Sequence, residues 1–180
     1  GELVIPAARR SGARLLPVDS EHSALWQALQ GLAGCPHPCP PMEAPASVRR
    51  LILTASGGAL RHLSLDEMRR ATPAMALKHP TWSMGAKVTI DSASLTNKAF
   101  ELIEAHWLFG MPSARLDVLV HPQSVVHSLV EFADASVMAQ LGSPDMRGPI
   151  QFALTFPSRP VASAKALDLA ALARLDFTPP

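Results

Sequence analysis

Leu116-Asp117-Val118-Leu119-Val120, then Val125-Val126-His127-Ser128-Leu129-Val130-Glu131-Phe132, then Ser136-Val137-Met138-Ala139-Gln140-Leu141 is the stretch that decides the fold. β-Branched and apolar residues dominate these runs and only short polar turns divide them, which predicts an antiparallel sheet portion. Immediately upstream the period changes. Ser94 to Phe109 repeats as a helix, and Gly110 with Pro112 behind it supplies a stop. Helices leading into a sheet predict an α/β to α+β fold, with helices packed on a mixed sheet. Further outward, Arg50 to Thr54 reads as a buried strand followed by the loop Ala55-Ser56-Gly57-Gly58, and Lys87-Val88-Thr89-Ile90 reads as strand-like. Ser64 with Glu67 forms a capping-box pattern, and Thr72-Pro73 is a helix start. Near the amino end, Glu2 to Arg10 is a helix closed by Gly12. Arg14 to Val18 is a short extended run that delivers Asp19-Ser20-Glu21 to a strand-to-helix turn, with a helix from Ser23 to Leu29. Cys35 to Pro45 holds five prolines in eleven residues and predicts irregular surface loop. Met146 to Phe156 is helical, and 157–180 is Ala-rich and linker-like. No internal repeat is apparent.

The composition narrows the class. Of 180 residues, 48% are apolar and 17% charged, with a net charge of +1, so the chain can bury a core and carries no bulk charge suited to nucleic acid or a membrane surface. No apolar run reaches the length of a bilayer span, and no signal peptide is visible, which predicts a soluble, cytoplasmic protein. A first residue other than Met, in a helix-like stretch, predicts a part of something longer.

Two constellations suggest chemistry. Asp19 and Glu21, at i and i+2 of an extended segment, place two carboxylates on one side with the Ser20 hydroxyl between them. The plain alternative is a helix N-terminus decorated with acids. Asn97, Lys98 and Glu101 share a helix face, for which the plain alternative is a solvated Lys98/Glu101 pair. If Glu101 joins Asp19 and Glu21, three oxygen ligands result, a hard set suited to Mg²⁺ or Mn²⁺. Ser56 on its Gly-rich turn, with Ser92, Asn97 and Lys98, forms a candidate phosphate pocket. Neither a dinucleotide nor a P-loop fingerprint occurs. Cys35-Pro-His37-Pro-Cys39 is a poor zinc set, lacking a fourth ligand nearby. His106 and His127 read as core residues. His79 heads the loop His79-Pro80-Thr81-Trp82-Ser83-Met84-Gly85, whose Trp and Met suit a lid that excludes water, or else a surface packed on a neighbouring domain.

The segments Leu15-Leu16-Pro17-Val18-Asp19-Ser20-Glu21-His22-Ser23-Ala24, Leu53-Thr54-Ala55-Ser56-Gly57-Gly58, Lys78-His79-Pro80-Thr81-Trp82-Ser83-Met84-Gly85, Asp91-Ser92-Ala93, Asn97-Lys98 and Glu101, His121-Pro122-Gln123-Ser124-Val125-Val126-His127-Ser128, Ala139-Gln140-Leu141-Gly142 and Pro144-Asp145-Met146-Arg147 closely resemble the 1-deoxy-D-xylulose 5-phosphate reductoisomerase family, in the family's order, over about residues 1–158. The resemblance implies a central catalytic domain, residues 1–158, and a linker, 159–180, towards a helical domain. It implies NADPH and a divalent metal as cofactors, a phosphosugar substrate, and a homodimer built on the antiparallel strands. By position in the motifs, Asp19, Glu21 and Glu101 would bind metal. Ser20, Glu21, Ser56, His79, Ser92, Asn97, Lys98 and Glu101 would bind substrate, with Glu21, His79 and Lys98 catalytic, and Gly85 would lie near the nicotinamide. Ala59 stands where the family usually has Pro, and the Pro-rich insert matches no family motif. The family's dinucleotide-binding domain has no counterpart in these residues, so they are expected not to reduce substrate alone. Two rival expectations are a non-catalytic dimerising module and a metal-dependent phosphosugar hydrolase or aldolase with no redox step.

Overall fold

The computed structural model describes residues 1–32 and 38–180, so the expectation for Cys35 and His37 lies outside the described residues. Four strands form one mixed sheet: β1 (Val48–Ala55), β2 (Leu116–Val120), β3 (Val126–Phe132) and β4 (Val137–Leu141), in the order β2-β1-β3-β4. β3 pairs antiparallel with both β1 and β4; the short turns predict the β3–β4 hairpin, but the neighbouring pairing they also predict between β2 and β3 is not formed, because β1 lies between those two strands. β2 instead runs parallel to β1, with Leu53 opposite Val118, because the long helical crossover between them returns the chain to the same end of the sheet.

Among the described residues, eight α-helices accompany the sheet: α1 (Val4–Ser11), α2 (Ser20–Ala28), α3 (Leu65–Met68), α4 (Pro73–Ala76), α5 (Ala86–Ala93), α6 (Thr96–Phe109), α7 (Arg147–Thr155) and α8 (Leu169–Leu172). Local chemistry sets several ends. The Ser64 hydroxyl accepts from the Glu67 amide while the Glu67 carboxylate accepts from the Ser64 amide, and the Thr72 hydroxyl caps α4 ahead of Pro73. α6 ends on Gly110 at φ 62°, a left-handed conformation that costs a residue without Cβ little.

Two sequence expectations fail here. Lys87 to Ile90 is the first half of α5 rather than a strand, so Asp91 and Ser92 lie inside a helix, and the predicted helix from Ser94 is divided from α5 by Leu95 at φ 58°. The β-branched residues have no sheet neighbour there, since their hydrogen bonds are closed locally; Thr89 is buried and its hydroxyl donates to the Gly85 carbonyl at 3.0 Å. Arg14 to Val18 is extended but pairs with no strand, so Asp19 is delivered to α2 by a loop.

The core lies between the sheet and helices α2 and α6. Leu25, Trp26, Leu29, Leu51, Leu53, Ala105, Phe109 and Val130 are fully buried, with Phe152 of α7 against the Trp26 ring, centroids 4.8 Å apart. Burying such side chains contributes roughly 1.5–3 kcal/mol each, so the helices that carry the acidic residues are anchored at their inner faces. Residues beyond α7 fold back on the sheet: Val120 and Thr178 form an isolated antiparallel bridge. No helix among the described residues is long and apolar enough to cross a membrane.

Candidate metal and phosphosugar site

Asp19 is the N-cap of α2, its carboxylate accepting from the Ser20 amide at 2.9 Å, and Glu21 lies in the first helical turn. The two carboxylates therefore converge through helix-start geometry and not through strand alternation, and both benefit from the positive end of the helix dipole. From the facing helix, α6, comes Glu101. One oxygen from each of Asp19, Glu21 and Glu101 lies within 4.8 Å of the others.

Lys98 stands among these acids. Its ammonium donates to Glu21 Oε1 at 2.6 Å and to Glu101 Oε2 at 2.5 Å, and the residue is 2% exposed. Burial disfavours the ammonium, but the charges of Glu21 and Glu101 outweigh it and hold the Lys98 pKa above its ordinary value. Glu101 goes the other way from a typical acid. Its burial, reinforced by the negative charge of Glu21 and only partly offset by Lys98, pushes its pKa up to about 8. Three acids near one ammonium thus carry more negative charge than the site can neutralise, and burial among them shifts Glu101 towards its protonated form. Asn97 Nδ2 donates to Glu101 Oε1 at 3.1 Å, whereas Asn97 Oδ1 is buried without a partner. The donor set fits a hard dication: three carboxylates, plus a buried neutral oxygen beside Glu101 that lacks a hydrogen bond.

His22 braces this end. Its Nε2 lies 2.9 Å from the Glu101 carbonyl oxygen and its Nδ1 3.7 Å from Asp19. Burial favours neutral imidazole, but the hydrogen bonds His22 donates to Asp19 and to the Glu101 carbonyl prevail, raising its pKa, while His22 in turn holds Asp19 below its usual value against burial. Asp19, His22 and Glu104 also approach one another closely enough to share an ion. That second set is worse, because the nitrogen on the Glu104 side is already engaged with the Glu101 carbonyl.

A cavity of about 300 Å³ extends from the acids. Its wall also carries Ser56, His79 and Ser92, with Trp82 and Met84 of the loop before α5, while Asn97 stays beside Glu101. His79 Nδ1 accepts from the amides of Thr81 and Trp82, at 3.1 and 2.8 Å, which leaves the proton on Nε2 to donate to Ser56 Oγ at 2.8 Å. Burial and then Arg61 lower the His79 pKa, so the ring is neutral near pH 7. Gly58, at φ 68°, lets this turn approach α5: a Cβ there would collide with the Ser92 carbonyl. Ser92 Oγ donates to the Thr89 carbonyl at 2.7 Å, closing its own helix turn. Ser20 Oγ donates to Glu21 Oε2 at 2.6 Å. Gly85 is the N-cap of α5 and has open space about it, next to the lining residues Met84 and Lys87 but not itself on the wall.

Sequence reasoning passed over His22 and Ser124, and it placed His127 in the core. Asp19 and His22 stand at i and i+3, a spacing that marks one helix face and could have disclosed the brace. His127 is indeed buried but lines this cavity, and Ser124 reaches the same wall from a turn that only the tertiary fold brings there.

Comparisons with known proteins agree with this architecture. Residues 15–109 match the family model described as the 1-deoxy-D-xylulose 5-phosphate reductoisomerase C-terminal domain, and 141–180 match a DXP reductoisomerase C-terminal domain model, so the matched domains are C-terminal ones and not central. The chain is 53% identical over 180 residues to the 1-deoxy-D-xylulose 5-phosphate reductoisomerase of Chlorobium phaeovibrioides and 55% identical to that of Geobacillus kaustophilus. The matches cover 100% and 99% of this chain, but the chain spans only 44% of the length of each relative. Among solved structures, DOX-P reductoisomerase in complex with NADPH, fosmidomycin and magnesium superposes with a TM-score of 0.88 at 43% identity, covering 99% of this chain and 44% of that one. The Zymomonas mobilis enzyme in complex with NADPH gives 0.84 at 45% identity, covering 99% and 43%.

Proposed function

Since the chain belongs to the 1-deoxy-D-xylulose 5-phosphate reductoisomerase C-terminal domain family, we propose that it supplies the metal- and phosphosugar-binding part of an enzyme that rearranges 1-deoxy-D-xylulose 5-phosphate and reduces the product with NADPH to 2-C-methyl-D-erythritol 4-phosphate. The observation that carries this reading is the convergence of Asp19, Glu21 and Glu101 around Lys98, with Asn97 beside them, on a cavity that Ser56, His79 and Ser92 also line. Residues 1–158 are the binding unit and 159–180 the connection onward. A homodimer through the antiparallel strands and a cytoplasmic location complete the reading.

Asp19, Glu21 and Glu101 would hold Mg²⁺ or Mn²⁺, which when bound supplies Lewis-acid polarisation of substrate oxygens. Bringing the three carboxylates to their fully ionised state requires Glu101 to give up its proton. Lys98 is the mobile charge of the site. It uses two donors on Glu21 and Glu101 here, and its long stem lets the ammonium turn towards the substrate's phosphate once the acids are neutralised otherwise. Ser56, which accepts from the His79 N–H, is free to turn its own hydroxyl hydrogen to the same phosphate, His79 can redirect its N–H there once substrate displaces that bond, and Ser92 and Asn97 extend that grip. Gripping the phosphate end orients the reacting carbons at the acids, and Trp82 and Met84 closing above exclude water. Ser20 stands at the substrate's carbon backbone, where it can donate to an oxygen in place of Glu21. Gly85, with open space about it, faces the nicotinamide, and the rest of NADPH is assigned to parts of the protein outside these residues.

The test is NADPH oxidation by the full-length protein with 1-deoxy-D-xylulose 5-phosphate and Mn²⁺. The expected result is metal-dependent oxidation with the phosphate retained on the product, lost in Glu101→Gln, and absent from residues 1–180 alone. Release of inorganic phosphate, or oxidation indifferent to metal, would contradict the reading.

A further inference from the structure

The turn His121-Pro122-Gln123-Ser124 links β2 to β3 and is held from behind by the last residues of the chain. Gln123 Nε2 donates to Asp176 Oδ2 at 2.7 Å, and the Asp176 amide donates back to Gln123 Oε1 at 3.4 Å. His121 Nδ1 lies 2.8 Å from the Asp176 carbonyl oxygen, and its ring stacks on Phe177 at 4.7 Å. Thr178 then pairs with Val120 through both backbone groups, at 2.8 and 3.0 Å. Four successive attachments thus fix one four-residue turn from a segment that is distant in sequence and otherwise carries little buried surface.

On its other side the turn meets the cavity. Ser124, at φ 52°, is buried, is one of the residues that line the cavity, as Ser56 and His79 do, and its hydroxyl has no partner. A non-glycine residue in the left-handed region is strained and persists only where its surroundings enforce it. Pro122 sits at the second position of the turn, where its fixed φ suits the bend, but it does not impose the left-handed residue that follows. The enforcing contacts are those of Asp176 and Phe177. The Pro122 carbonyl also lies 3.5 Å from the hydroxyl of Thr81, so the same turn borders the overhanging loop.

Resting on the function proposed above, we infer that Arg174–Thr178 is a strap that presents the Ser124 hydroxyl to the phosphosugar, with Asp176 and Gln123 as its positioning residues. They touch no substrate. They hold the turn whose unused hydroxyl does.

The experiment uses the full-length protein with Asp176→Ala, Gln123→Ala, the double variant and Asp176→Asn, following two quantities: the KM and kcat of NADPH oxidation, and the Kd for glycerol 1-phosphate by calorimetry. The strap predicts KM and Kd raised about tenfold in each alanine variant with kcat within about twofold. It also predicts a double variant no worse than either single one, since the pair acts as a unit, and near-complete rescue in Asp176→Asn, whose side-chain oxygen still accepts from Gln123. KM and Kd unchanged in both alanine variants, or activity lost only in proportion to protein that fails to fold, would overturn it. A wild-type protein that binds glycerol 1-phosphate in a strap-dependent way but oxidises no NADPH would overturn the proposed function and leave the strap standing. One that binds no phosphate monoester overturns both.

Discussion

The two ends of the cavity are built in opposite ways. At the acidic end, Lys98 and Glu101 project from α6 and Glu21 from α2, two helices whose inner faces carry the fully buried Leu25, Trp26, Ala105 and Phe109. At the other end, no residue from His79 to Val88 is buried, and the loop is pinned mainly by the His79 ring, which binds the Thr81 and Trp82 amides and Ser56. Charge requires the first arrangement. Several like charges meet in a poorly solvated place, and only a rigid frame holds them there. Closure requires the second, since a segment that must open and shut comes from the weakly packed part of a fold. Substitutions at the acidic end should therefore change folding free energy and ion affinity, whereas those in the loop should change substrate affinity alone.

The largest effect expected on stability is that of Lys98→Met without metal. Removing the ammonium leaves Glu21 and Glu101 buried against each other, a loss of about 3 kcal/mol by chemical denaturation. A change under 1 kcal/mol would mean that the acids are solvated and the contrast between the two ends is wrong. Next comes the pH dependence. Glu101 has its folded pKa raised from 4.5 to about 8, so its contribution to stability is complete below pH 4.5 and is lost as pH rises through 8. His22, also raised, acts in the same direction. The metal-free chain should lose up to ~1.4 kcal/mol per pH unit across that window, and Glu101→Gln should flatten the slope. The smallest effect on stability belongs to the loop: Trp82→Ala should leave unfolding within ~0.5 kcal/mol of the parent while weakening phosphosugar binding in the full-length protein about tenfold, read by calorimetry. A loop variant that instead unfolds the chain would make both ends equally structural.

The sequence carried the local features well and the non-local ones poorly. Capping patterns at Ser64 and Thr72, the stop at Gly110 and the β-rich runs of β3 and β4 are decided within a few residues, and each could be read. The mixed sheet was legible as a class. The parallel pairing of β1 with β2 was not, because it depends on where sixty residues of crossover return the chain. Lys87 to Ile90 misled through β-branched content, a preference that reflects sheet neighbours these residues do not have. Asp19 and Glu21 were singled out for strand alternation, yet they meet because one caps a helix and the other follows in its first turn. The charges converge either way, so the candidate set survived a wrong local geometry. The role of Asp176 had no local signal at all, since its partner lies 53 residues away.

Mn²⁺ calorimetry on the chain and on Glu101→Gln, at pH 7 and pH 8.5, tests most directly whether the three acids form one ion site. The account predicts one Mn²⁺ per chain, tighter at the higher pH because Glu101 has then lost its proton, with a loss of at least ~100-fold in the glutamine variant. Binding that is unaltered by Glu101→Gln, or that weakens as pH rises, would contradict it.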